Sequence, residues 1–190
     1  TLKTVILPEG LRHISSKAFW CCSALESIEL PNTIKTFGWA AFRGCHRLTR
    51  VVIADGTEVL PYEAFSDCVV LACCYLPESL SDGLQNARIT RQAVIYAPEG
   101  SYAMEWAAQN AYKSVICDTP ADMPNVQYIT EGDFEFRIFG GEASLLGYQG
   151  KGMSVTVPET AGGVPVTHIM SGAFTVSDNF ESIMLPRSIK

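Results

Sequence analysis

Cys22, Cys45 and Cys68 recur at a constant interval, and thiols spaced in that way are candidates for a metal ladder or a reactive set. Zinc needs ligands that converge tetrahedrally at about 2.3 Å. Side chains related by a simple repeat run parallel instead, so this column is expected to be small packing groups. Seven cysteines occur in all, with Cys21-Cys22 and Cys73-Cys74 adjacent and no Cys-x-x-Cys spacing. Adjacent cysteines bridge poorly because the geometry is strained, and the count alone leaves the redox compartment open. His13, His46 and His168 are scattered, and their spacings build no nucleophile–base pair. Gly147-Tyr148-Gln149-Gly150-Lys151-Gly152 is glycine-rich with a lysine. A phosphate-binding loop needs Ser or Thr after that lysine and a helix to follow. Gly152 and the strand-like Val155-Thr156-Val157 follow instead, so a hairpin loop is expected. Glu9, Asn32, Asp55 and Glu78 form a mildly acidic column. A calcium site requires convergent oxygens, and a solvated edge is the simpler reading. These residues assign no catalytic group, metal or cofactor, and an enzyme is not expected.

The elements that would hold such side chains come from a repeat. Leu2, Leu25, Leu48 and Leu71 fall at every twenty-third position and set its frame. Val5, Ile28, Val51 and Cys74 then share a column, as do Leu7, Leu30, Ile53 and Leu76. Ala18-Phe19 recurs as Ala41-Phe42 and Ala64-Phe65. Leu-x-x-Val-x-Leu reads as a short strand with its repeated side chains turned inward. The proline at positions 8, 31 and 77 ends it, having no amide hydrogen to donate onward. A short helical or 3₁₀ segment is expected around Ala-Phe. A single coil cannot bury its apolar face, whereas stacked coils can.

Leu-x-x-Val-x-Leu-Pro-x-x-Leu-x-x-Ile-x-x-x-Ala-Phe-x-x-Cys resembles the BspA-type leucine-rich repeat. The likeness covers residues 2–80 and resumes from Pro165-Val166-Thr167-His168-Ile169 through Ala173-Phe174 to Phe180-Glu181-Ser182-Ile183-Met184-Leu185-Pro186. There Ser177 replaces the cysteine and Phe180 the leucine. The resemblance implies an α/β leucine-rich-repeat solenoid, a right-handed superhelix of short parallel strands, here as two partial arrays. It also implies a secreted or cell-surface bacterial protein, adhesion-like, that binds protein or glycan, the alternative being a structural spacer.

The pattern fails after Leu80, where Gly83 takes the place of Ile14 and Phe37. Ala93–Pro98 and Lys113–Cys117 read as strands. Ser101 is a plausible N-cap, with Ala103, Trp106, Ala107 and Asn110 at helical spacing after it. Residues 81–117 are read as a cap on the array 1–117, plugged by Trp106. The resemblance supports this, because such arrays often close on a segment like Ile95-Tyr96-Ala97-Pro98-Glu99-Gly100-Ser101-Tyr102. Pro120 and Pro124 make residues 118–126 a linker. Residues 127–190 read as a capping hairpin turning at Gly140-Gly141, then the first repeat of a second array, lengthened by Gly162-Gly163-Val164-Pro165.

A net charge of −6 argues against nucleic acid, which needs a basic surface to displace counterions. No apolar run reaches the length of a membrane helix, about 20 residues, so no membrane insertion is expected. The first residue is Thr1 and no signal peptide is visible, so the sequence is read as part of a longer protein. Partner recognition should then use columns that do not repeat. Along the outward strand positions these are Thr4, Ile6, Ser27, Glu29, Arg50, Val52, Cys73 and Tyr75, with Cys73 expected to be exposed. A second stripe on the helical side holds Trp39 and Tyr62, with Trp20 above Arg43. Lys3 over Glu26 and Lys35 over Glu58 could pair between coils, contributing about 0–1 kcal/mol each. Uncapped ends are expected to make head-to-tail contacts between copies, residues 180–190 near residues 2–14.

Overall fold

The computed structural model describes residues 2–81, 83–175 and 180–190, so Ser177 lies outside the described residues. The chain forms two compact units, Thr1–Met123 and Pro124–Lys190.

In the first unit five strands follow one another in chain order across a single parallel sheet. They are β1 (Ser27–Leu30), β2 (Arg50–Ile53), β3 (Cys73–Tyr75), β4 (Val94–Ala97) and β5 (Lys113–Ile116). Thr4 bridges to Ser27 ahead of them, giving a solenoid of about six coils. The 23-residue register holds where the columns repeat, as in Ser27↔Arg50↔Cys73. The step shortens by two positions at Cys73↔Val94 and by two more at Val94↔Lys113.

Strand alternation sends Ile28, Val51, Cys74 and Ile95 into one core with Leu25, Leu48 and Leu71. Thr57 takes a place in this core where neighbouring coils have Leu11, Ile34 and Leu80, and it is fully buried. Its hydroxyl donates to the Ile34 carbonyl at 2.8 Å, which removes the cost of hiding it. Phe19, Phe42 and Phe65 stack one on the next, centroids 5.1 and 5.4 Å apart and nearly parallel.

The Ala-Phe segments are turns, not the helical or 3₁₀ pieces expected from sequence. Alternate amides bond to the next coil, while those between them, such as Ala18, Trp20 and Arg43, donate three residues back within their own turn. Lys17, Phe19 and Cys21 donate amides to Trp39, Ala41 and Arg43, and Ala40, Phe42 and Gly44 donate to Tyr62, Ala64 and Ser66. This ladder needs left-handed backbone at repeating places. Lys17, Ala40 and Glu63 share one such column; Cys21, Gly44 and Asp67 share another, with φ between 52 and 73°. A helical turn would use those amides within its own coil. The break at Gly83 also has a backbone cause. A Cβ there would lie 2.1 Å from the Glu58 carbonyl oxygen, so only glycine fits against that neighbouring coil.

A short helix packs at the far end of this unit. Helix α1 (Tyr102–Gln109) starts at Ser101, whose hydroxyl accepts the Met104 amide, and buries Ala103, Trp106 and Ala107. Trp106 stacks on Tyr112 at 5.0 Å and joins the core.

The second unit begins with an antiparallel meander of β6 (Gln127–Glu131), β7 (Phe134–Phe139) and β8 (Glu142–Tyr148). Gly140 and Gly141, both at positive φ, turn β7 into β8. After the short β9 (Ser154–Thr156) and β10 (Thr160–Ala161), β11 (Val164–Ile169) lies parallel to β8, and β12 (Ser182–Met184) lies parallel to β9. Parallel coiling has resumed, with a longer, 28-residue step at Ser154↔Ser182 that contains the Gly162-Gly163 turn. Phe136, Ala143, Leu145, Val157 and Val166 form a separate core. The Gly147–Gly152 segment is not a hairpin loop, since β8 and β9 belong to different sheets.

Candidate interaction surfaces

The repeated cysteines are interior packing with one polar refinement. Cys45 donates its thiol to the Phe19 carbonyl and Cys68 to the Phe42 carbonyl, each at 3.2 Å. The hydrogen bond with Cys45, then burial, pushes the Cys68 thiol up; burial does the same to Cys74. High thiol pKa values suppress the thiolate, the reactive form. Among the described residues no three acidic, histidine or cysteine side chains gather as a metal site would require. His46 reaches the Asp67 carbonyl at 3.2 Å and His168 lies 3.7 Å from Glu142, so they serve different neighbours.

The outward face of the first sheet changes along its length. Thr4 and Glu29 are exposed, Ile6 is 90 % exposed, and Ser27 and Arg50 are half-buried. Val52, Cys73 and Tyr75, expected at the surface, are 5, 0 and 4 % exposed. What covers them is the segment read as a linker. Residues 118–123 fold back over the sheet as a strap, with a single 3₁₀ turn at Pro120–Asp122. The Tyr75 hydroxyl donates to the Asp118 carbonyl at 3.0 Å and the Arg50 guanidinium to the Pro120 carbonyl at 3.2 Å. Met123 is buried. Burial, with the nearby Asp55, Cys117 and Asp118, raises the Tyr75 pKa. The sequence hid this because nothing in a proline-containing loop says where it will lie. The paired outward aromatics Tyr75 and Tyr96, one coil apart, were the available signal.

Beyond the strap the face opens into a groove of about 550 Å³. Ile6, Glu9, Ser27, Glu29 and Val52 line it, and Pro120 forms part of its wall. Arg50 also pairs with Glu29, which holds that carboxylate at the groove's side.

The turn side offers a different surface. Trp20, Trp39 and Tyr62 are 53, 46 and 48 % exposed. The Lys17 ammonium lies 5.2 Å from the Trp20 ring and 4.7 Å from the Trp39 ring, and the Arg88 guanidinium 5.5 Å from the Tyr62 ring. Arg43 bridges Glu63 at 2.6 Å and Asp67 at 2.9 Å. The backbone beneath is locked by the ladder between coils. Of the two pairs expected between coils, Lys35–Glu58 closes to 3.6 Å with both side chains mostly exposed, so its contribution is small.

Stacked parallel strands, each coil packed only on its neighbours and joined by fixed turns, define a leucine-rich-repeat solenoid. Residues 1–87 match the BspA type leucine rich repeat region in six copies. Among solved structures the chain resembles "The Crystal structure of Pneumococcal vaccine antigen PcpA", at 19 % identity and a TM-score of 0.52. That likeness, which is one of fold, covers 62 % of this chain and 31 % of the other, so the chain spans about a third of its length. No curated protein matches the sequence. No helix among the described residues is long and apolar enough to cross a membrane.

Proposed function

We propose that this chain is a binding module of a bacterial surface protein and that it recognises a protein or glycan through the turn side of its solenoid. The observation that carries this is the set of exposed rings, Trp20, Trp39 and Tyr62, on a backbone already fixed by bonds between coils. Large aromatic side chains dominate binding energetics because they bury much area at little entropic cost. A rigid platform loses little further freedom on binding. The family and the likeness to a pneumococcal antigen support a surface location.

The test is a panel of immobilised glycans and host extracellular proteins, probed with the chain and with its Trp39→Ala and Tyr62→Ala variants. A specific ligand whose affinity falls at least about tenfold in either variant, a loss of about 1.4 kcal/mol, supports the proposal. Absence of any ligand, or a ligand indifferent to both changes, favours a spacer.

A further inference from the structure

The turn side and the outward sheet face are separate surfaces, and the sheet face carries its own indication of what it holds. We propose that this face docks extended peptide: one half is filled by the chain's own residues 118–123, and the open half receives a peptide segment of a partner protein.

The strap shows the mode of binding. It leaves the end of β5 near Cys117, meets Tyr75 of β3 through Asp118, then Arg50 of β2 through Pro120. It therefore crosses the strands from the last coils back toward the first. Side-chain donors on the sheet grip its backbone carbonyls, an interaction indifferent to most of the guest's side chains. Met123, at the end of the strap, is buried. The cover makes a thin second layer with Val52, Cys73, Tyr75 and Tyr96 on the face opposite the main core.

At Pro120 the 3₁₀ turn carries the chain off this course, and the groove begins where it departs. An extended segment continuing that course would pass Val52 and Glu29, then Ser27 and Ile6. The chemistry of the groove sets the guest's side chains. Ile6 is almost wholly exposed and asks for an apolar neighbour. Glu9 and Glu29 line the groove, and no basic side chain does among the described residues. Arg50 already pairs with Glu29, so the occupant is an extended segment with an apolar anchor and a lysine or arginine directed at Glu9.

Two measurements test this. A displayed library of short random peptides is panned on the unaltered chain, and the recovered peptides are synthesised. Sequences that pair apolar with basic residues are expected, weakened at least about tenfold by Ile6→Asp and by Glu9→Lys and unchanged by Trp39→Ala. Failure to recover binders, or binders insensitive to both sheet-face variants, would overturn the open half. So would a glycan ligand lost on Ile6→Asp. The turn-side proposal stands or falls separately, on Trp39 and Tyr62. For the occupied half, thiol alkylation is followed site by site by mass spectrometry. Met123→Ser combined with Tyr75→Phe should speed labelling of Cys73 by about tenfold while Cys74 stays protected, because local opening costs less than unfolding. An unchanged Cys73 rate, or Cys73 and Cys74 reacting together, would show a fixed structural layer. Should the double variant fail to fold, Met123→Ser alone gives the same comparison.

Discussion

At the residue scale the repeat disguises two kinds of column. One is set by burial, as in the stacked Phe19, Phe42 and Phe65. The other is set by backbone sign, with Cys21, Gly44 and Asp67 all at positive φ. The first kind was legible, because apolar residues at a constant interval announce a shared interior. The second was not, because Cys21 and Asp67 carry no glycine signature. A side chain in left-handed backbone costs about 1–2 kcal/mol. Cys21 is exposed and buries little, so Cys21→Gly should raise the stability of the first unit by about 1 kcal/mol, read from its urea midpoint. Gly44→Ala should lower it, since the new methyl meets the Cys21 sulfur at 3.0 Å with φ at +73°.

At the element scale the turns carry as much of the fold as the strands. Alternate amides of each turn point along the stack, so a turn completes its bonding only when its neighbour is in place. Phe42 packs between two such turns, fully buried. Phe42→Ala should destabilise the first unit by about 3–5 kcal/mol, measured by chemical denaturation. Strand positions were readable from sequence because period-two alternation is local. The turn geometry was not, because Ala-Phe followed by polar residues also suits a short helix, and only the partner carbonyls of the next coil decide. The same limit hid the burial of Cys73, which depends on residues 118–123, far along the chain. Burial gives this unit a pH response of defined sign. The Cys74 pKa is raised in the fold, so its contribution is complete below the ordinary thiol range, about pH 8.5. Above it the unfolded chain loses a proton that the folded chain keeps, and stability falls as pH rises toward the folded value. Tyr75, also raised, adds to the loss from about pH 10. Urea midpoints should therefore drop between neutral and alkaline pH. Cys74→Val, which restores the residue of the Val5 and Val51 column, should lessen the drop.

At the scale of the whole molecule there are two interiors, Ile28 to Trp106 in one and Phe136 to Ala173 in the other. A fragment of residues 1–123 should fold alone, with amide exchange across β1 to β4 as slow as in the full chain. Uniformly fast exchange there would contradict it. A fragment ending at residue 117 would lack the strap, and in it Cys73 should alkylate readily. The break at Gly83 and the return of the motif at Pro165 suggested two arrays, and the chain does form two compact units. The sequence could not show which of its candidate surface residues lie bare, because that depends on chain folded over them. Of those on the sheet, Thr4, Ile6 and Glu29 are exposed, while Val52, Cys73 and Tyr75 are interior.

The two ladders, one of strands and one of turns, have a bearing on how such a chain can change in length. Both must stay in step at once, so between β1 and β3 the permissible increment is one whole coil, as from Ser27 to Arg50. A tandem copy of residues 27–49 presents the same donors and acceptors at each end and should be accepted as an added storey. A single-residue insertion in a turn would shift its amides away from their carbonyls and change which positions must be left-handed. Length in this protein is therefore quantised, and the shortened coils from Cys73 onward mark where the counting stops.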